Sequence, residues 1–244
     1  MRIATWNING LRARMNFVRL WLEDRQPDVV GFQELKMTDD KFPHDEFEAL
    51  GYRAVTHGQK SWNGVAILFR LPIEPIEVGL PGQEDFGARL IRARVGEGEA
   101  AVDFTTLYCP NGKSTDHDDF PRKLAWFDSL RSWAEKFVRP DASAVLCGDF
   151  NIVPTALDSW NEAEFQGSIF HTDEERERLR LLVDQIRPES VGFIVRTVAE
   201  GQTEERLTQD MDFLLKLWDD VHKRSSRDNV PELIYSDLDL SLRT

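Results

Sequence analysis

Residues 144–154 read Ala144-Val145-Leu146-Cys147-Gly148-Asp149-Phe150-Asn151-Ile152-Val153-Pro154. A short, continuously apolar run bounded by turn residues suits a strand covered on both faces. Gly148 permits a tight turn at the strand's end. Asp149 can align or deprotonate an attacking water, and Asn151 can donate to a phosphate or a developing oxyanion. The same two side chains can instead make an Asx-turn ahead of Pro154.

Three further strand ends resemble this one. Asn7 closes Ile3-Ala4-Thr5-Trp6-Asn7, and Glu34 closes Val29-Val30-Gly31-Phe32-Gln33-Glu34. Tyr108 follows Phe104-Thr105-Thr106-Leu107 and opens the turn Cys109-Pro110-Asn111-Gly112. Strand ends can converge on one rim and hold side chains on rigid supports. Glu34 suits a hard divalent cation, because Mg²⁺ commonly takes one or two carboxylates together with water and substrate phosphate. Asn7 can help hold that metal or the substrate without adding charge. Taken alone, Glu34 reads as an ordinary loop acid and Tyr108 as the start of an ordinary Pro-Asn-Gly turn.

Further strand-like runs fall at residues 2–6, 52–56, 64–69, 88–95, 101–107, 211–217 and 233–242. Helical spacing marks residues 12–25, with Phe17, Leu20 and Trp21 on one side. It also marks residues 120–138, with Phe120, Leu124, Phe127, Leu130, Ala134 and Phe137 on one face. Thr172-Asp173-Glu174-Glu175 has the form of a helix start ahead of residues 176–186, with Pro188 as a stop. Helices separate some strands, but many strands follow strands directly. That order predicts an α/β fold of two packed sheets flanked by helices. With no Gly/Ser/Pro-rich linker, residues 1–244 are expected to form one domain.

The chain carries 43 acidic and 30 basic residues, a net charge of −13. Nucleic-acid affinity comes largely from basic contacts to phosphate. This balance therefore argues against a broad, sequence-blind DNA footprint, though not against a local basic patch or a metal-neutralised cleft. Two cysteines, Cys109 and Cys147, argue against a disulfide scaffold and lack metal-ligand spacing. The N-terminus enters a strand pattern at once, and no apolar run reaches membrane-spanning length. A soluble cytoplasmic protein without a membrane partner, and a monomer, is the expectation.

In number and order, the motifs resemble the exonuclease III/AP endonuclease branch of the endonuclease/exonuclease/phosphatase superfamily. The resemblance rests on Trp6-Asn7-Ile8-Asn9-Gly10-Leu11-Arg12-Ala13-Arg14, on Gln26-Pro27-Asp28 through Gln33-Glu34-Leu35-Lys36, and on Gly51-Tyr52. It continues through His57-Gly58-Gln59-Lys60, Asn63-Gly64-Val65-Ala66, Tyr108 to Gly112, and Gly148 to Asn151, covering residues 1 to about 160. It implies a four-layer α/β sandwich and cleavage of a DNA phosphodiester, at an abasic site in duplex or at a 3′ end, with Mg²⁺ or Mn²⁺. On matching positions, Glu34 becomes the main metal ligand and Asn7 its neighbour. Tyr108 contacts the scissile phosphate, Asp149 positions or activates water, and Asn151 stabilises the transition state. Asp212, in Asp210-Met211-Asp212-Phe213, matches a late site acid of the family. Arg89, Lys113 and Arg122 are candidate phosphate contacts.

The C-terminal region departs from the family. Where the family has Ser-Asp-His, this chain has Ser236-Asp237-Leu238. Asp237 keeps the place of a catalytic acid but has no imidazole to orient, and leucine can neither transfer a proton nor donate to phosphate. The Trp-rich abasic-sugar segment is replaced by residues 192–197, Gly-Phe-Ile-Val-Arg-Thr. A missing proton-transfer group costs about 10²- to 10⁴-fold in rate. The resemblance thus implies attenuated or altered hydrolysis. The alternatives are a catalytically silent relative that binds nucleic acid or protein, and a phosphodiesterase for small molecules.

Overall fold

In a computed structural model, residues 1–137 and 143–186 are described. The sequence expectations at 192–197, 211–217 and 233–242, with Asp212, Asp237 and Leu238, lie outside them.

The order of elements begins β1 (Ile3–Asn7), α1 (Leu11–Arg25), β2 (Val29–Gln33), α2 (His44–Glu48), β3 (Arg53–His57) and β4 (Val65–Phe69). It continues with β5 (Ile73–Val78), β6 (Leu90–Val95), β7 (Val102–Tyr108), α3 (Asp119–Phe137), β8 (Ala144–Asp149), α4 (Glu162–Phe165) and α5 (Asp173–Ile186). Two four-stranded sheets form, ordered β1-β2-β4-β3 and β5-β6-β7-β8. Both are mixed: β1 with β2 and β7 with β8 run parallel, and the other neighbours are antiparallel.

The continuously apolar runs are strands buried on both faces. Every residue of β2 and of β4 is buried. Val29, Val65, Ile67 and Phe69 of the first sheet pack on Ile91, Ala93, Val95 and Phe104 of the second. The outer face of the first sheet is covered by Leu11, Val18 and Leu22 of α1 and Phe47 of α2. That of the second is covered by Trp126, Phe127, Leu130 and Trp133 of α3 with Leu179 and Leu182 of α5. The result is the expected four-layer sandwich.

The sheets approach closely beneath the site. A Cβ on Gly31 would lie 2.4 Å from the Thr106 hydroxyl oxygen of the facing sheet. Beside it the buried Gln33 amide donates to Thr106 Oγ1 at 2.8 Å and to Thr5 Oγ1 at 3.0 Å. This polar bridge is satisfied on both sides, as burial of an amide requires.

Two details differ from the sequence expectation. The buried stripe of α1 is Leu11, Val18 and Leu22, whereas Leu20 is 61% exposed and Phe17 37% exposed. Trp21 of the expected stripe is half-buried, and Trp6 on the sheet packs against both it and Phe17. Strand β5 was not expected, because Ile-Glu-Pro-Ile-Glu-Val carries a proline and two glutamates. It is an edge strand with a register shift between Pro75 and Glu77, where both are tolerated.

Candidate active site

The C-terminal ends of β1, β2, β7 and β8 meet at one rim. Register brings this about. Asn7 pairs with Gln33, so Glu34 is the first residue beyond the ladder. Across the sandwich Tyr108 pairs directly with Asp149. The Asn7 amide spans the two sheets, donating to Glu34 Oε1 at 2.9 Å and to Asp149 Oδ2 at 2.7 Å. Residues 142 positions apart are thus joined by one side chain.

The loops leaving these strands are sharply turned. Asn9, Glu34, Lys36 and Asn151 all have positive φ, between 44° and 56°. Left-handed backbone at non-glycine residues costs free energy and gathers where a site requires it. Gly148, at φ 142°, answers a different need. A Cβ there would stand 1.9 Å from the Leu107 carbonyl oxygen, so only glycine lets β8 lie this close to β7.

The two carboxylates sit in opposite environments. Glu34 is met by the Asn7 amide, by Lys36 Nζ at 2.9 Å from Oε2, and by the Tyr108 hydroxyl. Burial pushes its pKa up, but these hydrogen bonds and the Lys36 charge outweigh burial and hold it below the ordinary value. Lys36 also donates to Asn9 Oδ1, and Arg14 donates to the Asn9 carbonyl. Asp149 shows the reverse balance. Burial pushes its pKa up and the Glu34 charge adds to this; the Asn151 N–H and the Asn7 amide oppose it without cancelling it.

Asn151 makes the Asx-turn anticipated from sequence, its N–H donating to Asp149 Oδ1 at 2.9 Å. The turn leaves Asp149 Oδ2 aimed at the site. The Asn151 amide donates to the Cys109 carbonyl at 2.8 Å and so joins the two loops of the second sheet. Tyr108 is largely buried, and burial followed by the Glu34 charge raises its phenol pKa. The phenol is therefore a neutral donor.

Asn7, Glu34, Tyr108, Asp149 and Asn151 come together as one cluster. The three candidate phosphate contacts lie otherwise. Arg89 donates to the Phe86 and Tyr108 carbonyls at 2.9 and 3.0 Å, and its guanidinium lies 5.1 Å over the Tyr108 ring. Lys113 and Arg122 both pair with Asp119, with side chains 62% and 52% exposed. Cys109 is buried and Cys147 half-buried; both are free thiols whose pKa values burial raises.

Among the described residues, no group of three or more His, Cys, Asp and Glu has the form of a metal cage. The donor set fits a different kind of site. The Glu34 carboxylate and Asn7 carboxamide offer hard oxygens, and Mg²⁺ needs few protein ligands when substrate phosphate completes its shell. Lys36 Nζ already places a positive charge on Glu34.

Lys36, Asn9, Gln33 and Lys123 also serve the site, although the sequence alone does not mark Lys36, Asn9 or Lys123. Gln33 was the polar residue in an otherwise apolar strand, which is the signal that marks it.

A polar cluster at the shared rim of two mixed sheets defines a two-sheet α/β protein with an acid–amide site. The chain belongs to the endonuclease/exonuclease/phosphatase family, whose model matches residues 4–216. Within that family it falls in the exonuclease III/AP endonuclease branch. It is 37% identical over 160 residues to exodeoxyribonuclease III of Haemophilus influenzae, a match covering 65% of this chain and 60% of that protein. The structure of an AP endonuclease from Archaeoglobus fulgidus is similar, with a TM-score of 0.75 and 28% identity over 86% of this chain and 82% of the other. So is a 3′ phosphatase from Neisseria bound to a product DNA hairpin, with a TM-score of 0.71 and 34% identity, covering 76% and 71% of the two chains.

Proposed function

We propose that this protein is a divalent-metal-dependent phosphodiester hydrolase that acts on DNA at abasic sites or 3′ ends, with attenuated or altered activity. The observation that carries the reading is the Asn7 bridge, which sets Glu34 and Asp149 side by side in unlike environments. The activities named for its relatives support the DNA substrate.

Glu34 and Asn7 would hold Mg²⁺ or Mn²⁺, which when bound neutralises phosphate charge and polarises the phosphoryl group. Asp149, with its raised pKa, accepts the proton of an attacking water at Oδ2. The Asn151 N–H holds Oδ1 and fixes the carboxylate's plane. Tyr108, a neutral phenol, donates at the phosphate's edge. The Asn151 amide lies beside it and can turn from the Cys109 carbonyl to a non-bridging oxygen as negative charge develops. Arg89 buttresses Tyr108 from behind.

The attenuation follows from Leu238, which removes the proton donor expected beside Asp237. The same substitution, with the net charge of −13, favours a second reading: a silent relative that binds nucleic acid or protein. In a third reading the substrate is a small phosphate ester.

The test incubates purified protein with abasic-site duplex, recessed 3′ ends and 3′-phosphate duplex, with Mg²⁺ or Mn²⁺, beside Asp149→Ala. Cleavage above that control supports the proposal, and a rise in Leu238→His supports attenuation. Absence of cleavage sinks it. Retained DNA binding at low salt would then favour the silent reading, and its loss would direct attention to small phosphate esters.

A further inference from the structure

Lys123 is a lysine with no exposed side-chain surface, on the sheet-facing side of α3. Its ammonium group makes three hydrogen bonds. One goes to Glu175 Oε1, equally buried; one to the Asn151 carbonyl at 2.6 Å; and one to the Asn111 carbonyl at 3.3 Å. All three donors of the group are used. The charge also sits 4.8 Å over the Phe170 ring.

Glu175 is held from its other side. Its Oε2 accepts from the Thr172 N–H at 3.2 Å and the Thr172 hydroxyl at 2.9 Å. The Thr172 hydroxyl in turn accepts the Glu175 N–H at 3.2 Å. This is a capping box at the start of α5, with one carboxylate oxygen left over for Lys123. A helix N-terminus, a buried cation and two loop carbonyls thus form one connected unit.

The two carbonyls belong to the loops that carry Tyr108 and Asp149. Asn151 is gripped on both sides of its α-carbon: its carbonyl by Lys123, its N–H by Asp149. Its φ of 49° places it in the left-handed region, which an asparagine holds only against a cost. A buried ion pair is weak evidence for stability, since well-packed apolar residues often serve as well. Fixing carbonyl oxygens, by contrast, is something that apolar packing cannot supply.

We propose that Lys123 and Glu175 are positioning residues for the site: the pair holds the Asn151 carbonyl, keeps that residue left-handed, and thereby fixes the Asp149 carboxylate toward substrate. The kinetic part rests on the phosphodiesterase reading above, whereas the structural part does not.

The experiment compares the parent with Lys123→Met, Glu175→Gln and the double variant in the full-length chain. The double variant leaves no buried charge unpaired, so its thermal midpoint should return most of the way from that of Lys123→Met. Steady-state cleavage of abasic duplex and amide exchange at Asn151 are then measured on the double variant. The expected result is a fall in kcat of about tenfold or more, with KM within about twofold, because a displaced group costs the chemical step rather than binding. The Asn151 amide should exchange at least about tenfold faster, since opening of the Asx-turn controls its protection. Parental kcat with parental exchange would overturn the proposal, as would a rise in KM alone. If the parent itself does not cleave, the phosphodiesterase reading fails, and the exchange result alone decides whether the pair holds the loop.

Discussion

Glu34 and Asp149 end strands of different sheets, and both accept hydrogen bonds from the Asn7 amide. Yet one carboxyl is driven below its ordinary pKa and the other above it. The first sheet delivers its acid into a ring of donors with Lys36 among them. The second delivers its acid into a buried corner, held by an Asx-turn whose far end rests on Lys123. In the proposed reaction, two acids so placed divide the work. The readily ionised one suits a cation, and the one that retains its proton more strongly suits proton transfer. The difference arises from how deeply each carboxylate is buried and from the donors and charges that touch it.

Substitutions can break this division, beginning with the largest effect. Asp149→Ala is expected to lower the cleavage rate by about 10²- to 10⁴-fold, read from initial rates on abasic duplex. Glu34→Gln should raise the Mg²⁺ needed for half-maximal rate by at least about tenfold and leave much of the rate at saturation. The acid limb of kcat/KM should report Asp149, because its raised pKa makes it take up a proton at higher pH than Glu34 does.

Arg89→Ala removes two hydrogen bonds to carbonyls and should cost about 2 kcal/mol in denaturant unfolding. Asp149→Asn should raise the thermal midpoint at neutral pH while abolishing activity. The sign follows from linkage. The folded state binds the Asp149 proton more strongly than the unfolded chain does, so stability falls as pH rises between the two pKa values. Removing the charge recovers that loss, and the gain should vanish in acid. Lys36→Met should lower the half-saturating Mg²⁺ a few-fold by removing a competing cation from Glu34, read by intrinsic fluorescence. Lys113→Ala and Arg122→Ala, both exposed, should change stability by no more than about 0.5 kcal/mol.

Most of the strands were legible because they are apolar on both faces, and every residue of β2 and β4 is buried. β5 was not, because an edge strand need not be apolar and this one carries Pro75. The facing side of α1 was misjudged for a related reason. Periodicity leaves several apolar stripes on a helix with Leu11, Phe17, Val18, Leu20, Trp21 and Leu22, and only the packed fold shows that Leu11, Val18 and Leu22 are the fully buried ones. The meeting of Asn7, Glu34, Tyr108 and Asp149 was legible because each lies at the end of a strand, whereas their roles were implied only by the resemblance. Their supports were not legible. A lysine within an amphipathic helix, such as Lys123, reads as surface, and only the tertiary fold shows the two carbonyls and one carboxylate it serves. The Thr172–Glu175 pair was visible as a helix start, but its connection to the site was not.

The proposed reaction is a metal-dependent cleavage in which the two acids bridged by Asn7 play unlike parts. Its most direct test is the single-turnover cleavage of abasic duplex across a Mg²⁺ titration by the parent, Glu34→Gln and Asp149→Ala. Raised Mg²⁺ should bring Glu34→Gln back toward the parental rate and leave Asp149→Ala about 10²- to 10⁴-fold below it. Rescue of Asp149→Ala by Mg²⁺, or parental cleavage without either carboxylate, would contradict it.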